Sequence, residues 1–102
     1  MDGFVKIHHT VFNINAIRIV NFLQSEEKLI KMSIDTGKSD LFYINFYFDT
    51  YKIITKEDKD KFITILLKQK DMLDAFLLNG KYNCNNIFFD QNKMKQLLKD
   101  KL

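Results

Sequence analysis

The chain has no proline and no tryptophan, and in 102 residues it has one arginine, one cysteine and three glycines. Without proline, nothing reads as a stiff linker or a low-complexity tail. With Cys84 alone, an internal disulfide framework is excluded. No cysteine or histidine spacing resembles a zinc site. The longest apolar runs are a few residues long, so no segment reads as a membrane span. The N-terminus, Met1-Asp2-Gly3-Phe4-Val5-Lys6, lacks the basic start and apolar stretch of a signal peptide. These absences lead us to expect a cytoplasmic protein with no membrane partner.

What is present fits a single domain over 1–102, since the length supports one hydrophobic core but not two. Hydrophobic residues make up 46% of the chain and charged residues 28%, as in an ordinary soluble domain. Phe, Ile, Lys, Asn and Tyr together supply about half of the residues. All five have AT-rich codons, which points to an AT-rich bacterium or its phages. The net charge of +3 is almost wholly lysine, with 13 acidic residues interspersed. That pattern reads as a solvated surface rather than a phosphate footprint.

The most informative run is Leu41 to Tyr51. A strand sends alternate side chains to opposite faces. One face then carries Phe42, Ile44, Phe46 and Phe48, which reads as core. The other carries Leu41, Tyr43, Asn45, Tyr47, Asp49 and Tyr51. This second face is too aromatic for an idle surface and too polar for a core. Its cover is the chain's own C-terminal segment, through Phe88, Phe89, Leu97 and Leu98, or a protein partner or second copy, or a nucleic acid.

The rest of the first half is strand-like. Phe4 to Phe12 alternates, with Val5, Ile7, His9 and Val11 on one face. Asn13-Ile14-Asn15 suits a tight turn. Ala16 to Leu23 is apolar on both faces, as in a central strand. Ser25-Glu26-Glu27 turns the chain, and Lys28 to Asp35 alternates with Ile30, Met32 and Ile34 inward. Thr36 to Asp40 reads as a hairpin loop with Gly37 available for positive φ. Short connections favour an antiparallel meander.

The second half is helical. Thr55 sits where an N-cap belongs, followed by Glu57 and Asp58. Phe62, Ile65, Leu66, Gln69, Met72, Leu73, Phe76 and Leu77 recur at helical spacing, and Asn79-Gly80 supplies the stop. This stripe is the natural lid for the Phe42-Ile44-Phe46-Phe48 face. Asp90 can cap a last helix with Met94, Leu97 and Leu98 on one side and Lys93, Lys95, Lys99 and Lys101 on the rest.

No catalytic motif survives inspection. Gly37-Lys38-Ser39 resembles the tail of a P-loop, but Met32 stands where the first glycine is needed and a strand follows instead of a helix. On one strand His8 and His9 point to opposite faces and cannot share a metal, with His9 at the core edge and His8 on the surface. Cys84 has no nucleophile signature around it. Glu26-Glu27 and Asp58-Asp60 are ordinary turn and helix-start acids.

The tyrosine face therefore carries the functional reading. Tyr43, Tyr47 and Tyr51, with Arg18, Phe22 and Lys31 from neighbouring strands, form the candidate binding surface. Tyrosine gives rigid contact area with a polar tip, which suits protein interfaces. Aromatics interleaved with cations also suit stacking of single-stranded bases.

A strand meander with one glycine hairpin, followed by an amphipathic helix, resembles small phage and mobile-element inhibitor proteins of AT-rich bacteria, anti-CRISPR proteins among them. The resemblance covers architecture and composition, and it implies a non-enzymatic inhibitor that binds a protein of the host's defence. The expected fold is α+β. It has a four-stranded antiparallel meander over 4–54, a long helix over 55–79, a loop over 80–89 and a short C-terminal helix over 90–101. The expected function is protein binding without enzymatic activity, cofactor or metal. The alternative is a single-stranded nucleic-acid binder that uses the same Tyr/Lys face.

Overall fold

The computed structural model of the chain describes residues 3–17, 19–37, 41–79 and 86–100, and for 19–24 and 100 it describes the backbone. Strands β1 (Phe4–Ile7) and β2 (Thr10–Asn13) form an antiparallel hairpin. The register pairs Val5 with Phe12 and Ile7 with Thr10, which leaves His8 and His9 as a two-residue turn. His8 takes φ 57°. Two-residue hairpins need positive φ in the turn, and histidine visits that region more readily than most side chains. The continuous strand expected from Phe4 to Phe12 is therefore two strands. His8 and His9 do not lie on opposite faces of one strand. Val11, expected beside Val5 and Ile7, is exposed, while Phe12 is buried across from Val5.

A 3-10 turn over Ile14–Ala16 follows, with the Asn13 side chain accepting from the Asn15 N–H at 3.0 Å. The chain then builds a second sheet from β3 (Ile19–Ser25), β4 (Leu29–Asp35) and β5 (Phe42–Tyr47), antiparallel and in that order. Asp35 accepts from the Gly37 N–H at 2.8 Å, with Gly37 at φ 80°. Lys38, Ser39 and Asp40 of the expected loop lie outside the described residues. The far end of the chain returns as β6 (Ile87–Phe88), which pairs parallel to β1. The Lys6 N–H donates to the Asn86 carbonyl at 3.2 Å and the His8 N–H to that of Phe88 at 3.0 Å.

Among the described residues the architecture is thus α+β with two helices and two small sheets, not a single four-stranded meander. Local antiparallel pairing joins β1 to β2, β3 to β4 and β4 to β5. The hairpin does not join the second sheet; β1 fills its second edge with β6, from more than seventy residues away in sequence, as the Lys6–Ile87 pairing shows.

Helix α1 (Lys56–Asn79) starts where Thr55 Oγ1 accepts from the Asp58 N–H at 3.1 Å, with Glu57 and Asp58 against the positive end. It buries Phe62, Ile65, Leu66, Gln69 and Leu73. Gly80, the expected stop, lies outside the described residues. Helix α2 (Gln91–Asp100) starts at Asp90, whose Oδ1 accepts from the Lys93 N–H at 2.9 Å. It packs on α1 and buries Met94 and Leu98.

The core closes on Phe46. Its ring lies 6.4 Å from that of Phe62, 5.7 Å from Phe89 and 5.4 Å from His8, between centroids. Phe62 in turn meets Phe48 at 6.2 Å and Tyr51 at 4.7 Å. Ile44, Phe46 and Phe48 are buried as expected of an inward row, but Phe42 is 41% exposed. It stands at the start of the strand and meets Phe12 edge-on at 5.1 Å.

Truncation of Phe46 leaves a void among three rings, so Phe46→Ala is expected to lower stability by about 3–5 kcal/mol. Tyr47→Ala, one position on and half-exposed, is expected to change it by about 1 kcal/mol or less. Urea unfolding of both variants measures this. Equal midpoints would show that the two faces of β5 are wrongly assigned.

Candidate functional site

β5 is the last strand of its sheet, and among the described residues no strand pairs with its outer edge. Its hydrogen-bond phase follows from one bond. The Phe48 N–H donates to the Lys28 carbonyl at 2.9 Å, and the register sets Tyr47 opposite Leu29. In an antiparallel ladder, bonded pairs alternate with unbonded ones. Phe46, Ile44 and Phe42 therefore bond to β4. Tyr43, Asn45 and Tyr47 aim their N–H and C=O groups away from the sheet. Edge strands of monomers are commonly blunted by charge, proline or a bulge. Phe42 to Phe48 contains no charged residue, proline or glycine.

The side chains of the same three residues lie on the outer face. Tyr43 is 48% exposed and Tyr47 49% exposed. Four residues along a strand separate them by about 13 Å. α2, the expected internal cover, turns Met94 and Leu98 into the core instead, along with Phe88 and Phe89 before it. Lys31, opposite Asn45 on β4, sets its ammonium 5.6 Å from the centre of the Tyr43 ring and 3.4 Å from a Glu26 carboxylate oxygen. Tyr43, Tyr47 and Lys31 are thus brought together.

The other expected members are not part of that group. Tyr51 is 8% exposed and belongs to the core. β5 ends at Tyr47, and Phe48–Tyr51 winds into a 3-10 turn. Lys52 closes the turn at φ 55°, and the Ile53 N–H reaches the Phe48 carbonyl at 3.0 Å. The winding turns Tyr51 inward, onto Phe62. The backbone of Phe22 stands in register with Met32, whereas Tyr43 stands opposite Ser33, and the Phe22 side chain is outside what the structure describes. Arg18 lies outside the described residues.

The Tyr51 hydroxyl meets His8 Nε2 at 3.4 Å, a long hydrogen bond that ties the hairpin tip to the turn. Burial, with the Asp90 carboxylate nearby, pushes the Tyr51 phenol up to about 12. Burial also lowers His8, with the neighbouring His9 adding to the effect and Asp90 opposing it. His8 is half-buried and His9 exposed, the reverse of the sequence expectation. The strand reading hid this because it placed no turn between them.

Between the hairpin tip and β5 runs a groove of about 340 Å³, lined by His8, His9 and Thr10 on one side and by Tyr43, Asn45 and Tyr47 on the other. It extends to Thr50 and Tyr51. Thr50 and Tyr51 also line a second cavity of about 390 Å³, together with Lys52, Lys95 and Lys99. The helical spacing of Lys95 and Lys99 was readable in advance; the arrival of Lys52 beside them was not. Among the described residues, no group of three or more His, Cys, Asp or Glu is arranged to hold a metal ion. No described helix is long and apolar enough to cross a membrane.

A pH dependence follows from the burial of His8 and Tyr51. His8 in the unfolded chain keeps its ordinary value of 6.5, above its folded one. Below that pH the unfolded state binds more protons, so the neutral His8 contributes its full stability above 6.5 and loses it as pH falls through the folded value. Tyr51 acts at the other end. Its contribution is full below the ordinary 10 and is lost as pH rises through about 12. The melting temperature should therefore drop between about pH 7 and about pH 5. His8→Asn, which suits the left-handed backbone, should flatten that drop. A variant that loses stability as steeply as the wild type would assign the acid limb to other groups.

Comparison of the chain with protein-family models, curated proteins and solved structures found no match, so the functional reading rests on the chemistry of this chain.

Proposed function

We propose that the protein is a non-enzymatic binding protein that engages another protein through the outer face and open edge of β5. The observation that carries this reading is the pair Tyr43 and Tyr47. They stand half-exposed beside backbone groups that no described strand pairs. Exposed aromatic area beside an uncovered edge favours a partner, and tyrosines of this kind anchor protein interfaces. The His8–Tyr51 pair sits at the end of the groove, but a phenol pushed up to about 12 is a poor acid or nucleophile near neutral pH. In the inhibitor reading that the sequence resemblance implies, the chain acts stoichiometrically by occupying a protein of a host defence complex, such as a CRISPR effector.

The nucleic-acid alternative is less favoured. Base stacking needs a free ring face, and the Lys31 ammonium already lies over one face of Tyr43. The core is built without either tyrosine, so the fold should survive their loss.

The double variant Tyr43→Ala/Tyr47→Ala should abolish complex formation with the native partner and keep a native circular-dichroism spectrum. Its binding to single-stranded RNA should match that of the wild type. An unchanged complex would move the interface elsewhere. A selective loss of RNA affinity would favour the nucleic-acid reading.

A further inference from the structure

The lysine-lined cavity at the end of the groove names the chemistry of the partner. Lys95 and Lys99 stand one turn apart on α2, and Lys52 joins them from the turn after β5. Like charges at that spacing repel. Neither they nor Lys52 pair with a described carboxylate, whereas Lys31, Lys61 and Lys70 each do. The cavity is lined by three lysines and by no described carboxylate, a lining that attracts anions. It shares Thr50 and Tyr51 with the groove along β5, so one ligand can occupy both.

Resting on the protein-binding reading above, we infer that the partner presents an extended segment that adds to β5 as a further strand, with acidic residues at the end that passes Tyr47. The outward N–H and C=O groups of Tyr43, Asn45 and Tyr47 bond to its backbone. Its carboxylates lie against Lys52, Lys95 and Lys99. This is strand addition, in which main-chain bonds give affinity and flanking contacts give specificity.

A second copy is the competing occupant of the edge. Pairing β5 with itself about a two-fold at Asn45 would set both hairpin tips on the same face of the joined sheet, at the seam. His8 already packs on the Phe46 ring, so the hairpin stands over the strand at the edge. A single strand enters a groove bounded in this way more easily than the edge of another sheet. Self-pairing also leaves the three lysines unanswered.

The test is selection from a display library of randomised peptides about twelve residues long. The wild-type protein should enrich sequences with Asp or Glu clustered to one side of a β-prone stretch. Lys52→Glu/Lys95→Glu/Lys99→Glu should weaken the best peptide about tenfold or more at low salt and select basic clusters instead. Asn45→Pro, which removes an edge N–H, should weaken binding of every selected peptide, and amide spectra of each variant report whether it is folded. If charge reversal leaves the selected sequences unchanged while Tyr43→Ala/Tyr47→Ala abolishes their binding, the acidic-segment inference fails and the protein-binding reading stands. If neither change matters, or no peptide is enriched, both fail. A wild-type dimer in sedimentation that Asn45→Pro dissolves would name the second copy as the occupant. Binding of oligouridine that the lysine reversal abolishes would name nucleic acid. Either result overturns the inference.

Discussion

Burial of the Phe46 ring is the constraint on which the rest of the structure depends. Phe46 faces the core from the edge strand of its sheet, so elements from every part of the chain converge to enclose it. α1 brings Phe62, the segment before α2 brings Phe89, and the hairpin brings His8. Alternation along β5 then fixes the neighbours. With Phe46 inward, Asn45 and Tyr47 face outward, and the same phase aims their backbone groups at the open edge. One strand thus serves as core on one face and as candidate binding surface on the other face and along the edge.

Enclosing that ring requires sharp turns in a chain with few glycines. His8, Lys52 and Phe89 occupy the left-handed region at φ 57°, 55° and 59°. Each conformation costs on the order of 1 kcal/mol for a residue with a Cβ. All three lie at or next to the Phe46 cluster. His8 turns the hairpin so that its imidazole meets Phe46, and Phe89 is fully buried beside it. Lys52 ends the turn that puts Tyr51 on Phe62. Aromatic packing offsets the backbone cost, and the fold spends its strain where it gains most contact.

This explains which features the sequence made legible. The limits of α1 were readable because they depend on neighbours: Thr55 caps, the acids follow, and the apolar stripe keeps helical spacing. Asp90 as the start of α2 was legible for the same reason. The inward row of β5 was readable from alternation, except at Phe42, where the strand begins. Sheet membership was not legible. The parallel pairing of Lys6 and Ile7 with Ile87 and Phe88 leaves no local trace. The turn at His8-His9 had a faint signal, since histidine tolerates positive φ, but regular alternation from Phe4 to Phe12 masked it. Extending the period of two past Tyr47, where the strand stops, groups Tyr51 with Tyr43 and Tyr47. Of the candidate surface, Tyr43, Tyr47 and Lys31 come together. The open edge beside them became visible once β5 was known to be the last strand.

The central claim is that β5 is a paired strand on one side and an open edge on the other. Amide hydrogen exchange of the free protein tests it residue by residue. The account predicts alternation, with slow exchange at Ile44 and Phe46, whose N–H groups bond to β4, and fast exchange at Tyr43, Asn45 and Tyr47, whose N–H groups face solvent. Uniform protection from Tyr43 to Tyr47 would contradict it, because something would already be paired along that edge.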